Sequence, residues 1–181
     1  DRRHIHRKID KLKADLEEVR RVRATQRDRR SKNEIPVVAI VGYTNAGKST
    51  LLNALTGAGI PANNRLFDTL DTTTRRLRVS DHLEILLSDT VGFISKLPHD
   101  LIEAFKATME ELQYADLLLH VVDVSGSECR DPIEDFEQIN EELAKFSPAL
   151  AERPQIVVGN KCDLATEEQI DTFRKYVEEK G

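Results

Sequence analysis

The sequence predicts an α/β fold in which a mainly parallel β-sheet is covered by helices on both faces. Apolar segments alternate with helical segments along the chain, an order typical of parallel sheets. The first apolar segment, Val37–Val41, runs directly into GYTNAGKST at Gly42–Thr50. That pattern is typical of a phosphate-binding loop between a strand and a helix. Together these observations indicate the fold of the P-loop nucleoside triphosphatases.

The predicted elements follow one another along the chain. Apolar runs bounded by turn residues predict strands at Val37–Val41, Leu77–Val79, Leu83–Ser88, Leu117–Val122 and Gln155–Gly159. Helical spacing predicts helices at Lys48–Leu55, Asp100–Gln113, Pro132–Lys145 and Glu167–Lys180. Only Ser80, Asp81 and His82 separate the second and third strands, so we expect this pair to form an antiparallel hairpin.

Residues 1–33 are predicted to form a long basic helix followed by a linker. Apolar residues recur there at spacings of four, three, four and three, the seam of a coiled coil or helical hairpin: Ile5, Ile9, Leu12, Leu16 and Val19. Residues 1–32 carry 13 Lys and Arg against 6 Asp and Glu, whereas the rest of the chain carries 14 against 26. This asymmetry favours contact between the arm and a polyanion such as RNA, and a solvated helix face is the alternative.

The overall composition points away from membranes and from metal or disulfide scaffolds. The chain is 39% hydrophobic and 33% charged, with neither a long apolar run nor a signal-peptide pattern. We therefore expect a cytoplasmic protein without a membrane partner. The two cysteines, Cys129 and Cys162, lack the spacing of metal ligands, which argues against zinc and disulfides.

The glycine-rich loop supplies the candidate phosphate-binding residues. Gly42 and Gly47 let the backbone approach a phosphate, while loop amides and the helix N-terminus direct positive charge towards it. We expect Lys48 to reach the terminal phosphates and the Ser49 hydroxyl to bind Mg²⁺. The whole candidate set is Gly42, Tyr43, Thr44, Asn45, Ala46, Gly47, Lys48, Ser49 and Thr50.

A second candidate motif, Asp89-Thr90-Val91-Gly92, directly follows the third predicted strand. We expect Asp89 to hold Mg²⁺ through its water shell, as the acidic residue of such enzymes does. The Gly92 amide would bond the γ-phosphate, and hydrolysis would break that contact. The segment after Gly92 is therefore expected to act as a switch.

The motif Asn160-Lys161-Cys162-Asp163 is the candidate for recognition of the base. It follows a strand at the carboxyl edge of the predicted sheet, where such folds bind ligands. A carboxylate at Asp163 can accept two parallel hydrogen bonds from the ring N–H and the amino group of guanine. Adenine lacks that pair of donors and would leave the carboxylate unpaired. Asn160 is expected to brace the loop, and the stem of Lys161 to lie over the base.

These three motifs in this order indicate a GTPase. The chain resembles the translation-factor-like GTPases and most closely the HflX family. Three stretches carry the resemblance: GYTNAGKSTLLNALTG at Gly42–Gly57, RLFDTLDTTTRRL at Arg65–Leu77 and DTVGFISKLPHDLIEAFKATMEE at Asp89–Glu111. The basic helix that precedes them is similar to the end of the helical domain of that family.

The resemblance implies more than the motifs do. Residues 1–33 would end a helical domain, and 34–181 would form a G domain that lacks its last strand and helix. The protein would hydrolyse GTP, be a monomer when free, and bind the large ribosomal subunit and its rRNA through the basic helix. The role of the family is to rescue or split ribosomes under stress.

The first switch needs a hydroxyl that reaches Mg²⁺, and the candidates are Thr69, Thr72, Thr73 and Thr74. The resemblance favours Thr69, which lies within the family motif F-x-T-L-D, and Thr74 is the alternative. It also assigns a phosphate-binding segment, Phe67, Asp68, Thr69, Leu70 and Asp71. Here Asp68 stands where a small residue is usual, which places an extra carboxylate near the metal. Thr72 stands where a proline is usual, and the missing proline should make the loop more mobile in the absence of nucleotide.

Catalysis is expected to be slow in the isolated chain. Small signalling GTPases carry a glutamine one residue beyond the DxxG motif to position water, but Phe93 occupies that position and offers no hydrogen bond. We therefore expect hydrolysis to depend on a partner. Asn45 resembles the asparagine that holds K⁺ in potassium-activated relatives, and stiffening of the loop is its alternative role.

Two other functions stay open at this point. One is a nucleotide-dependent RNA-binding module with negligible hydrolysis. The other is a tRNA-modification or ribosome-assembly GTPase with a similar G domain, which the Arg65–Leu77 segment disfavours.

Overall fold

The strand order explains which loops meet at the candidate site. The computed structural model describes residues 35–57, 73–90, 92–93, 106 and 109–180. Its strands are β1 (Val37–Gly42), β2 (Thr73–Ser80), β3 (Leu83–Asp89), β4 (Leu117–Asp123) and β5 (Gln155–Asn160). They form one sheet in the order β2-β3-β1-β4-β5. β1 pairs in parallel with β3 and β4, and β4 with β5, so the loops after these strands share one edge.

Among the strands that the structure describes, β2 alone runs antiparallel, and it pairs with β3 as the predicted hairpin. It is longer than predicted, since it begins at Thr73 instead of Leu77. The arginines of β2, Arg75, Arg76 and Arg78, are all exposed. In the described part of the chain β3 is its only neighbour in the sheet. A polar strand at a sheet edge has little apolar periodicity, which is why the sequence pattern understated its length.

The helices are α1 (Lys48–Thr56), α2 (Pro132–Phe146), α3 (Pro148–Ala151) and α4 (Glu167–Lys180). α2 begins where the sequence supplies every start signal: the Asp131 carboxylate accepts bonds from the amides of Ile133 and Glu134, and Pro132 occupies the first turn. The short α3 was not predicted. Of the helix predicted at Asp100–Gln113, the described residues 106 and 109–112 are helical.

Both faces of the sheet are covered, as predicted. Alternate residues of β1 point to opposite sides: Ala39 and Val41 pack in one buried cluster, and Val38 and Ile40 in another. The first cluster includes residues of α2, α3 and the helical segment 109–112, namely Met109, Leu112, Ile139, Leu143 and Leu150. The second includes Leu52 of α1. The α/β fold with a mostly parallel sheet is therefore confirmed.

A third buried cluster joins α2 and α4 to the end of β4. Val122 and Val124 pack there with Phe136 of α2 and Phe173 of α4. Phe136 also stacks on the imidazole of His120, with 5.0 Å between ring centroids. None of the helices in the described residues is long and apolar enough to cross a membrane.

Several predictions concern residues outside the described ranges. These are the basic helix at 1–33 with its seam, and the switch segment Phe67, Asp68, Thr69, Leu70 and Asp71. They stay predictions.

Candidate nucleotide-binding site

The backbone of the loop between β1 and α1 requires glycine at two positions. Gly47 has a left-handed φ of 95°, and a Cβ there would overlap the side-chain amide of Asn160. A Cβ at Gly42 would overlap the carbonyl oxygen of Val121 on β4. The loop therefore follows the neighbouring strands so closely that no side chain fits at either position.

The Lys48 side chain folds back beneath this loop. Its ammonium donates to the carbonyl oxygen of Tyr43 at 2.8 Å, and the residue is only 6% exposed. Burial lowers the pKa of Lys48 to about 8, and the nearby Asp89 carboxylate partly opposes that effect. A buried cation held against a glycine-rich loop is suited to binding a phosphate.

Ser49 and Asp89 bring a hydroxyl and a carboxylate together at the start of α1. The Ser49 hydroxyl donates to Asp89 Oδ2 at 2.6 Å, and Asp89 is fully buried at the end of β3. The amide of Thr90 donates to the other carboxylate oxygen at 2.9 Å, and the Thr90 hydroxyl donates to the carbonyl oxygen of Ile40 at 2.6 Å. These bonds fix the carboxylate against β1.

Such oxygen ligands fit Mg²⁺, which prefers one or two protein oxygens together with phosphates and water. No group of three or more His, Cys, Asp or Glu side chains among the described residues could hold a metal ion.

The backbone directly after the DxxG motif pairs with the backbone at the end of β1. The Phe93 amide donates to the carbonyl oxygen of Gly42 at 3.0 Å, and the Thr44 amide donates to the carbonyl oxygen of Phe93 at 2.8 Å. Gly92 lies so near that an added Cβ would be 2.7 Å from Thr44 Cα and 2.9 Å from Lys48 Nζ. The Gly92 backbone thus faces the phosphate loop directly.

The Phe93 ring lies in the core cluster with Met109 and Leu112, and the residue is 3% exposed. The position that holds a water-orienting glutamine in small signalling GTPases is therefore a packing residue here.

The loop after β5 is bonded to the phosphate loop. Asn160 Nδ2 donates to the carbonyl oxygen of Ala46 at 2.8 Å. Lys161 has a left-handed φ of 60°, and its carbonyl oxygen accepts the amide of Leu164 at 3.0 Å, which closes a turn. Asp163 lies exposed in that turn. The structure thus brings together the two motifs that the sequence separates by more than a hundred residues.

A family model for a 50S ribosome-binding GTPase matches residues 37–161. The chain belongs to this GTPase family. An HflX GTPase from Caldanaerobacter subterraneus subsp. tengcongensis is 55% identical over 164 residues, which is 91% of this chain and 37% of that relative. The resemblance to HflX is confirmed: the described residues form a GTP-binding G domain of the HflX family. The chain spans well under half the length of the HflX relatives that it matches.

Two solved GTPase structures share the fold. A GTP-binding protein from Sulfolobus solfataricus, crystallised with GDP, is 31% identical with a TM-score of 0.63, over 88% of this chain and 48% of that one. Era in complex with MgGDPNP and nucleotides 1506–1542 of 16S ribosomal RNA is 25% identical with a TM-score of 0.67, over 81% and 47% of the two chains.

In this HflX-type G domain, residues outside the sequence motifs also contact those motifs. The β4–α2 loop, residues 124–131, contacts both nucleotide-site motifs. Asp123, the last residue of β4, directly precedes this loop and accepts bonds from Lys161, Ser125 and Ser127. Burial raises the pKa of Asp123, but these hydrogen bonds outweigh burial and hold the pKa below its usual value. The sequence offered one signal for Asp123. It is the acidic residue that ends the apolar run of β4, the strand that precedes the strand of the NKxD motif.

The other end of the β4–α2 loop reaches the phosphate loop. Asn45, at a left-handed φ of 63°, donates through Nδ2 to Glu128 at 2.5 Å. The Arg130 guanidinium lies 3.5 Å from the centroid of the Tyr43 ring and donates to Asp135 at 2.7 Å. Hydrogen bonds to Asp135 raise the pKa of Arg130. Nothing in the sequence pattern identifies these partners.

Two other residues were candidates from the sequence: Thr74 as the alternative switch threonine and Thr50 as part of the phosphate-binding set. Thr74 is a strand residue of β2, and its hydroxyl pairs with the Ser88 hydroxyl at 3.2 Å. Thr50 is exposed on α1. Both cysteines are exposed free thiols.

Proposed function

We propose that this chain is the GTP-binding and GTP-hydrolysing G domain of a ribosome-associated HflX-type GTPase. The observation that carries the proposal is the Asn160–Ala46 hydrogen bond, at 2.8 Å, between the base-selecting loop and the phosphate loop. A guanine at Asp163 and phosphates at Lys48 would then belong to one nucleotide. The exposed position of Asp163 supports this, since a base can reach it from solvent.

Mg²⁺ would be held by the Ser49 hydroxyl directly and by Asp89 through water, and it would offset charge on the phosphates when bound. Their separation of 2.6 Å and the burial of Asp89 support this assignment. Era, a fold relative, was crystallised with MgGDPNP. Thr69 is proposed as the threonine ligand, and Thr74 is disfavoured because Ser88 engages its hydroxyl.

Hydrolysis is proposed to be slow without a partner. The Gly92 amide would bond the γ-phosphate, but the buried Phe93 ring cannot orient the attacking water. The partner would be the large ribosomal subunit, with the basic helix at 1–33 on rRNA and ribosome rescue or splitting as the outcome. The family description, a 50S ribosome-binding GTPase, supports this partner.

A monovalent cation is a second proposed component of the site. The Asn45 amide nitrogen is bonded to Glu128, which leaves its carbonyl oxygen as the group that can bind K⁺. K⁺ would then add positive charge beside the phosphates.

The first experiment measures binding of a fluorescent GDP analogue (mant-GDP) to the wild-type chain, to Lys48→Ala and to Lys145→Ala. Lys145 is an exposed lysine on α2 and serves as the matched control. We expect Lys48→Ala to weaken binding by about 100-fold, since it removes a charge-assisted phosphate contact. Unchanged affinity would contradict the assignment of the phosphate loop.

The second experiment measures steady-state GTP hydrolysis with and without large ribosomal subunits. The proposal expects slow turnover that the subunits stimulate. Hydrolysis that the subunits leave unchanged would contradict a ribosome-activated enzyme, and nucleotide binding without hydrolysis in both conditions would favour the RNA-binding module.

A further inference from the structure

Asp123 lies outside every nucleotide-binding motif of the sequence, yet it is bonded to the side chain that is expected to cover the base. We propose that Asp123 is a positioning residue for the guanine nucleotide: with Ser127 it holds the Lys161 ammonium, so that the aliphatic stem of Lys161 forms a fixed wall for the base. The inference rests on the proposed function, because it assumes that guanine binds beside Lys161.

The hydrogen bonds of Asp123 use both of its carboxylate oxygens. Oδ1 accepts the amide and the hydroxyl of Ser125, at 3.0 and 2.5 Å. Oδ2 accepts the Ser127 hydroxyl at 2.6 Å and the Lys161 ammonium at 2.8 Å. The same ammonium donates to the Ser127 hydroxyl at 3.1 Å. The carboxylate is therefore fixed by its own loop before it meets Lys161.

The ion pair is shielded from solvent. The Lys161 side chain is 20% exposed and the Asp123 side chain 11%. Exposed ion pairs contribute little, but partial burial reduces screening and makes a charge-assisted bond stronger. Lys145, by contrast, forms its ion pair with Glu142 at 65% exposure. Unlike the Lys145 pair, the Asp123 pair therefore has the burial that could hold a long side chain in one rotamer.

The backbone limits where the Lys161 stem can go. Asp123 and Asn160 are paired in the parallel ladder of β4 and β5, and the Val124 amide donates to the carbonyl oxygen of Asn160 at 3.1 Å. Lys161 follows at a left-handed φ of 60°. With both its Cα position and its ammonium fixed, the stem has few remaining rotamers. Ordering that flexible side chain before the ligand arrives removes an entropic cost from binding.

The test is a double-mutant cycle on mant-GDP affinity, with Asp123→Asn, Lys161→Met and the double variant. Asp123→Asn keeps the shape and removes the charge, whereas Lys161→Met keeps an aliphatic stem and removes the ammonium. We expect each single change to weaken binding by about tenfold. The double variant should bind no more weakly than Lys161→Met, because Asp123 acts through the ammonium. Asp171→Asn, which breaks an exposed ion pair with Arg174, is the matched control and should leave affinity unchanged.

A second readout separates positioning from a merely structural role. Asp163 is expected to discriminate between GDP and IDP, which lacks the amino group of guanine. Asp123→Asn should weaken both ligands equally, whereas collapse of the loop after β5 would also change the GDP/IDP affinity ratio. A changed ratio would overturn the inference, as would additive losses in the cycle. If Asp123→Asn does not fold, Ser127→Ala replaces it, and a loss of about threefold is then expected.

The wild-type measurement distinguishes this inference from the proposed function. A wild-type chain that binds no mant-GDP overturns the proposed function and this inference with it. Wild-type binding with additive losses overturns the inference alone.

Discussion

The buried histidine of β4 should make the fold sensitive to acid. His120 is fully buried, stacks on Phe136, and its Nδ1 lies 3.3 Å from Gln155 Oε1. In the described part of the chain its Nε2 has no hydrogen-bond partner. Burial lowers the pKa of His120 from 6.5 to about 4, and the Gln155 hydrogen bond only partly opposes it. The native state therefore holds this imidazole neutral.

The direction in which stability changes with pH follows from proton linkage. Between the folded and unfolded pKa values the unfolded chain binds more protons at this residue, so stability is complete above the unfolded value and falls as the pH drops. A shift from 6.5 to about 4 lowers the free energy of unfolding by about 2 kcal/mol between neutral pH and about pH 5. That loss is a sizeable fraction of the stability of an ordinary domain.

The assay is urea unfolding of the wild type and His120→Gln at a series of pH values. Carboxylates titrate in both proteins, so the difference between their curves isolates His120. We expect the wild type to lose about 2 kcal/mol more than the variant over that range. His82→Gln, at an exposed position, is the matched control and should retain the wild-type dependence. Parallel curves for the wild type and His120→Gln would refute the reasoning.

Three further predictions concern the site. Gly47→Ala should lower the free energy of unfolding by about 2 kcal/mol, because it adds left-handed strain and displaces the Asn160 amide. Gly57→Ala is its control in urea unfolding: φ is also left-handed, at 65°, but a Cβ there meets nothing within 4 Å, so equal losses would contradict the contact argument. Asp163→Asn should shift preference from guanine to xanthine nucleotides in competition binding, and an unchanged preference would remove Asp163 from the base site. Replacing K⁺ by Na⁺ should slow hydrolysis by the wild type but not by Asn45→Ala, whereas equal wild-type rates in both salts would support a stiffening role for Asn45.

Local patterns predicted the fold because apolar strands and glycine-rich turns are written in consecutive residues. The phosphate loop was predictable for that reason, since its glycines, lysine and hydroxyl act within one turn. β2 was predicted four residues too short at its start, because Thr73 to Arg76 carry no apolar signal. Those residues gain their strand conformation by pairing with β3, which is a contact between segments.

The contacts between loops could not be predicted from the sequence. Lys161 and Asp123 are 38 residues apart, and Asn45 and Glu128 are 83 apart. Many acidic residues in this chain could have served as either partner, and only the strand order selects these two. Phe93, in contrast, could be interpreted without the structure. Its side chain has no hydrogen-bonding group, which by itself argues against a water-positioning role.

The arginines of β2 have a consequence for the behaviour of the protein at high concentration. Leu77 packs into the core, so Arg75 projects from its face and Arg76 and Arg78 from the opposite one. A second copy that added its own β2 to this edge would bring six guanidinium groups together along a short ladder. Like charges directly opposite in a sheet are destabilising. The β2 edge of the described sheet thus carries its own barrier against edge-to-edge polymerisation into extended sheets.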